Sequence, residues 1–166
     1  MNRFETRRRV PFTAQQMYAL VADVERYPEF LPLCERLRVT DRRTEGGRDV
    51  LIADMTMGYH AIRETITSKV TLYPDEPKVT VAYLNGPFSR MENRWLFKEL
   101  GGDPVVSEVE FYIAYELRSL MLKFIVSQVF DRAFRKFASA FERRAHDVYG
   151  RKPAARLAQG GPITAL

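Results

Sequence analysis

From about residue 36 to residue 117, apolar and polar positions alternate, which is the pattern of strands that bury one face and wet the other. Leu51, Ala53, Met55 and Met57 occupy the odd positions of one run. In the next, Ile62, Ile66, Val70 and Leu72 mark a dry face against Arg63, Thr65, Thr67, Lys69 and Thr71. Val79, Val81 and Tyr83 continue the alternation, followed by Trp95 and Phe97 and then by Val105, Val109, Phe111, Ile113, Tyr115 and Leu117. Turn sequences cut these runs at Gly46-Gly47, Pro74-Asp75-Glu76-Pro77, Asn85-Gly86-Pro87 and Gly101-Gly102-Asp103-Pro104, so successive strands are expected to pair antiparallel. Two residues break the alternation: Glu64 and Ser68 fall on the apolar side of their strand.

The two ends read differently. Residues 3 to 10 form an expected first strand, and Thr13 suits the N-cap of a helix over about residues 14 to 23. Glu25 to Pro32 is expected as a short helical or turn segment broken by Pro28 and Pro32. From Ser119 to about Tyr149 there is no proline or glycine. Leu122, Val126, Val129, Phe130, Ala133, Phe137, Ala140, Phe141 and Val148 recur there at spacings that fit one helical face. This predicts a single continuous helix about 45 Å long. Gly150 suits its end, and residues 150 to 166 lack any period and are expected to be a loose tail.

A sheet with a dry face needs a cover, and only the long terminal helix carries an apolar stripe of matching extent. The expected fold class is therefore α+β of the helix-grip kind: one domain over residues 1 to 149, a curved antiparallel sheet wrapped around a long C-terminal helix. The strand order should follow hairpin succession, with the first strand beside the last.

Composition narrows the function classes. At 166 residues, with 46% hydrophobic and 28% charged residues, the chain suits one folded domain and excludes disorder throughout. A net charge of +5 is a mild excess. One cysteine, Cys34, excludes an internal disulfide, and with only His60 and His146 beside it no structural metal set can be assembled. The stretch Leu120 to Phe130 is interrupted by Lys123, Ser127 and Gln128 and falls short of the roughly 20 apolar residues of a spanning helix. The basic N-terminus lacks the apolar core of a secretory signal, so a mature cytoplasmic chain is expected. No glycine-rich phosphate loop is found, since the Gly-Gly pairs sit in turns between strands. Neither histidine has an evident partner for acid–base chemistry, so no catalytic residue, metal or catalytic cofactor is expected, and Glu64 is the one residue on which an enzymatic reading would rest.

The run Asp23-Val24-Glu25-Arg26-Tyr27-Pro28-Glu29-Phe30-Leu31-Pro32-Leu33-Cys34 is followed by Gly86-Pro87-Phe88, by Asn93-Arg94-Trp95-Leu96-Phe97 and by Ala140-Phe141-Glu142-Arg143-Arg144-Ala145. In order and spacing these resemble the coenzyme Q-binding proteins of the START-like, polyketide-cyclase-like superfamily, over about residues 1 to 149. The resemblance implies a helix-grip (START-like) fold with a hydrophobic tunnel, non-enzymatic binding of ubiquinone or a similar polyprenyl quinone, and support of respiratory electron transport and cellular respiration. The same subfamily includes ribosome-association toxins that block subunit association, so the ribosome is the alternative partner. The mitochondrial members carry a transit peptide that this chain lacks, which implies a bacterial-type protein, cytoplasmic or peripheral on the inner face of a respiratory membrane.

If a lipid tunnel exists, the inward set Met55, Met57, Glu64, Ile66, Val81, Tyr83, Trp95, Phe97, Phe111, Ile113, Tyr115, Val126, Phe130 and Phe137 is expected to line it. The alternative for the same apolar set is a solid core. Glu64 either pairs with an arginine or backbone donor at the sheet rim or faces the cavity, with Tyr83, Asn93 and Tyr115 as donors to a ring carbonyl. Tyr27, Phe30, Leu31, Pro87, Phe88, Leu120, Met121 and Phe124 are expected at the pocket mouth. Lys123, Arg132, Arg135 and Lys136 would attract anionic lipid in a peripheral membrane contact, or ribosomal RNA, or form a solvated helix face. DNA is not an expected partner.

Overall fold

A computed structural model describes residues 1 to 150, and the expected tail from residue 151 to residue 166 lies outside the described residues. Strand β1 (Asn2–Val10) is followed by helix α1 (Ala14–Ala22) and a 3₁₀ turn at Val24–Glu29. Six strands come next: β2 (Cys34–Glu45), β3 (Arg48–Tyr59), β4 (Ile62–Tyr73), β5 (Lys78–Asn85), β6 (Phe88–Gly101) and β7 (Val106–Leu117). Together with β1 they form one seven-stranded antiparallel sheet in the order β1-β7-β6-β5-β4-β3-β2, so hairpin succession and the pairing of the first strand with the last hold as expected. Register shifts in β2 at Cys34/Arg36 and Val39/Asp41, and in β6 at Phe88/Arg90 and Glu99/Gly101, are bulges of the kind that bend a strand and raise its twist. The result is a curved sheet with α1 and the C-terminal helices on its concave face.

Thr13 closes a capping box on α1: its hydroxyl accepts from the Gln16 N–H at 3.0 Å while the Gln16 side chain accepts from the Thr13 N–H at 2.8 Å. The 3₁₀ turn contains Pro28, consistent with the short broken segment read from the sequence.

The single long helix does not form. Two helices replace it, α2 (Leu120–Ser127) and α3 (Phe130–Ala145), followed by a π turn at His146–Gly150. At the junction the Val129 N–H donates to the Val126 carbonyl at 3.0 Å, an i→i−3 bond that tightens the chain. The Ser127 hydroxyl donates to the Phe124 carbonyl at 3.1 Å and so competes for an acceptor of the helical ladder. Neither device announces itself as proline or glycine would. On α3, Ala133, Phe134, Ala138, Ala140, Phe141 and Ala145 are buried, the alanines letting the helix approach closely, whereas α2 buries no residue fully. The end of α3 is tied to α1: Tyr149 donates to the Gln16 carbonyl at 3.0 Å, and the His146 ring meets Phe12 edge-on at 4.9 Å.

Candidate functional site

The sheet and the C-terminal helices do not close on each other. Between them lies an unsealed cavity of about 230 Å³. Its sheet side is built from inward residues of β3 to β7, a consequence of the period-two pattern: Met55, Met57, Glu64, Ile66, Val81, Trp95, Phe111 and Ile113 all line it. Val126 of α2 and Phe130 and Phe137 of α3 form the opposite wall, while Tyr27, Leu31, Pro87 and Phe88 complete the surround.

Three residues assigned to the lining lie elsewhere. Phe97 is buried against α1, with Tyr18 edge-on at 6.0 Å. Tyr115 is buried under Phe130, edge-on at 4.8 Å, and burial pushes its hydroxyl up to about 12, with the Asp131 charge adding to that. The Tyr83 hydroxyl accepts the Phe88 N–H at 3.1 Å, bracing the β5–β6 turn instead of facing a ligand. All three point inward as the alternation requires, but other elements cover them first.

Four residues assigned to the mouth also lie off the cavity. Phe30 packs edge-on against Phe141 at 5.0 Å, with the Arg144 guanidinium over its ring. Leu120, Met121 and Phe124 project into solvent from α2, whose other side contributes Leu122 and Val126 to the wall.

The polar groups in the lining are few. Glu64 is half-buried and, among the described residues, has no hydrogen bond or ion pair; the neighbouring Arg63 lies on the other face of β4 and pairs with Glu35 at 2.8 Å. Of the two readings of Glu64, the structure shows the cavity-facing one. Ser68 is buried in the lining, and the Asn93 amide donates one proton to the Tyr112 carbonyl at 2.9 Å. Tyr27 donates its hydroxyl to the Val21 carbonyl, and burial raises the pKa of that hydroxyl. Among the described residues no group of His, Cys, Asp and Glu is placed to hold a metal ion.

Gly86 shapes one edge of the site. Its φ of +145° is open to glycine, and a Cβ there would stand 2.9 Å from the Thr65 carbonyl oxygen. This close approach seats the β5–β6 turn on β4 and delivers Pro87 and Phe88 to the cavity. The turn is also fastened to the start of α2: the Arg118 N–H donates to the Pro87 carbonyl at 3.0 Å and Arg118 Nε to the Phe88 carbonyl at 2.9 Å.

Residues 10 to 142 match the family model described as polyketide cyclase / dehydrase and lipid transport. The chain belongs to that family. Within it the chain is 32% identical over 141 residues to the ribosome association toxin RatA of Vibrio cholerae, covering 85% of this chain and 93% of that one. It is 30% identical over 142 residues to the mitochondrial coenzyme Q-binding protein COQ10 homolog B of Xenopus laevis, covering 85% of this chain but only 57% of that longer relative. Among solved structures, an 18 kDa protein from Caulobacter crescentus superposes with a TM-score of 0.74 at 32% identity, covering 90% of this chain and 99% of that one. A START superfamily protein from Mycobacterium smegmatis, at a TM-score of 0.74 and 19% identity over 88% of this chain and 98% of that one, shares the fold. The START-like fold class and the family resemblance read from the sequence therefore hold.

Sequence reasoning missed several lining residues, among them Leu37, Met91, Leu122 and Phe134. Phe134 had a readable signal, standing four residues after Phe130, three before Phe137 and seven before Phe141. Leu37 had a weaker one, since the alternation of β2 is disturbed by its bulges.

Proposed function

We propose that the protein binds ubiquinone or a related polyprenyl quinone in this cavity and acts as a non-enzymatic lipid carrier or chaperone supporting respiratory electron transport. The observation that carries the reading is an open, almost wholly apolar hollow where a solid core would otherwise stand. The coenzyme Q-binding relatives support it further. Burying prenyl carbon there gains roughly 0.8 kcal/mol per CH₂. The methionine pair Met55 and Met57 adapts to an irregular tail. Ring carbonyls need donors, and the Ser68 hydroxyl and the second Asn93 amide proton are such groups in the lining. A carboxylate only accepts, so Glu64 suits an ordered water or a hydroxyl of the reduced ring.

Native mass spectrometry of gently purified protein, with extraction of bound lipid and titration with a short-tailed ubiquinone, tests the reading. A quinone at about one per chain is expected; none recovered and none taken up would refute it. An enzymatic role, known by name among the family's cyclases, would need Glu64 as acid or base, so turnover of a candidate substrate that collapses in Glu64→Gln would displace the carrier reading.

The second reading is ribosome association. RatA relatives favour it, as do Arg132, Arg135 and Lys136, exposed cations of α3 that form no ion pair among the described residues. It requires cosedimentation with a ribosomal subunit that weakens with salt and with charge reversal at Arg132 and Arg135.

A further inference from the structure

We infer that α2 is a docking element for an anionic phospholipid bilayer, entering the headgroup layer on the side opposite the cavity. The helix has two unlike faces. Leu122 and Val126 line the cavity, while Leu120, Met121 and Phe124 stand 81%, 68% and 70% exposed. These three are the most exposed large apolar side chains among the described residues, and clustered on one turn and a half of helix they form a patch of the size that often marks an interaction site. Together they present roughly 400 Å², about half of what one partner of a stable protein pair usually contributes, which disfavours a second copy of this chain. A bilayer interface asks for less, because a short amphipathic helix is held there by modest apolar insertion together with cationic neighbours.

The charges nearby have the matching sign. Lys123 is exposed on α2 itself, Arg118 precedes it, and Arg132, Arg135 and Lys136 are exposed on the adjoining turns of α3; the acidic residues of the same stretch are Glu116 and Asp131. The cavity points the same way: it is unsealed, and Leu122 and Val126 put α2 in its wall, so a tail held there lies against the helix that carries the exposed apolar cluster. This placement deepens the quinone reading and rests on it for its purpose, but docking is measured without any quinone present.

The test is vesicle cosedimentation of the full chain with phosphatidylcholine alone and with about a quarter phosphatidylglycerol. The variants are Leu120→Gln/Met121→Gln/Phe124→Gln and, separately, Lys123→Glu/Arg132→Glu. Because every changed side chain is exposed, folding should survive, and circular dichroism on the same samples confirms it. The expected result is binding of the native chain that favours the anionic vesicles, a loss of at least tenfold in the apolar variant, and loss of the anionic preference in the charge variant. Absence of native binding to both vesicles would overturn the inference. So would an apolar variant that binds like the native chain, or one that merely converts a native dimer to a monomer while binding vesicles equally. Titration with a short-tailed quinone in parallel separates the outcomes: quinone uptake without vesicle binding sinks the docking element alone, and vesicle binding without quinone uptake sinks the carrier reading alone.

Discussion

Val126→Trp probes whether the hollow is where the ligand goes. Val126 faces the cavity from a helix that buries no residue fully, so a larger side chain has empty space ahead of it and little packing to disturb. Indole in place of isopropyl adds about 90 Å³ of side chain to the cavity wall. A ligand must withdraw an equal volume, about three methylenes, which at roughly 0.8 kcal/mol each weakens binding by about 2.5 kcal/mol, or on the order of 50- to 100-fold. Stability should be unchanged or slightly higher, because the new side chain gains contacts in a void instead of overpacking a filled core. Calorimetric titration of a short-tailed ubiquinone into the native chain, Val126→Trp and the exposed control Lys123→Trp measures the effect without relying on Trp95 fluorescence. Equal affinity for all three proteins, with the variant folded, would refute the assignment of this cavity as the site.

Other outcomes follow from single features of the fold. Gly86→Ala sets a Cβ 2.9 Å from the Thr65 carbonyl in a backbone conformation that side chains rarely adopt, and should lower stability by about 2 kcal/mol in urea unfolding; a loss below about 0.5 kcal/mol would mean the turn shifts freely. Ser107 is fully buried and its hydroxyl has no partner among the described residues, so Ser107→Ala should stabilise the chain by about 1 kcal/mol; destabilisation would reveal a bond to that hydroxyl. Burial pushes the Cys34 thiol from about 9 up to about 11 and the Tyr115 hydroxyl up to about 12, and raises Tyr27 too. The unfolded chain therefore loses these protons first and binds fewer of them, so stability should hold through neutral pH and fall as pH rises above about 9; a urea midpoint that is flat to about pH 10.5 would contradict this. The raised thiol pKa also means that Cys34 should react with a thiol reagent far more slowly in the folded chain than in urea.

Much of this protein could be read from residue order alone. Strand alternation has a period of two and a buried face to satisfy, and a slip by one residue would expose every apolar side chain, so Met55, Met57, Ile66, Val81, Phe111 and Ile113 had to face inward. Turn residues between the runs set the hairpin order for the same local reason. Residue order left open what each inward side chain would meet. Phe97 is taken by α1, Tyr115 by α3 and Tyr83 by its own turn, and the cavity is the part of the face that no element covers. The break between α2 and α3 was likewise hidden, since a serine hydroxyl and one tightened backbone bond do the work usually signalled by proline or glycine. Local preference decides the face a residue points to. Only packing of distant elements against a curved sheet decides whether that face is filled, hollow or left in water, as Phe97, Val126 and Phe124 respectively show.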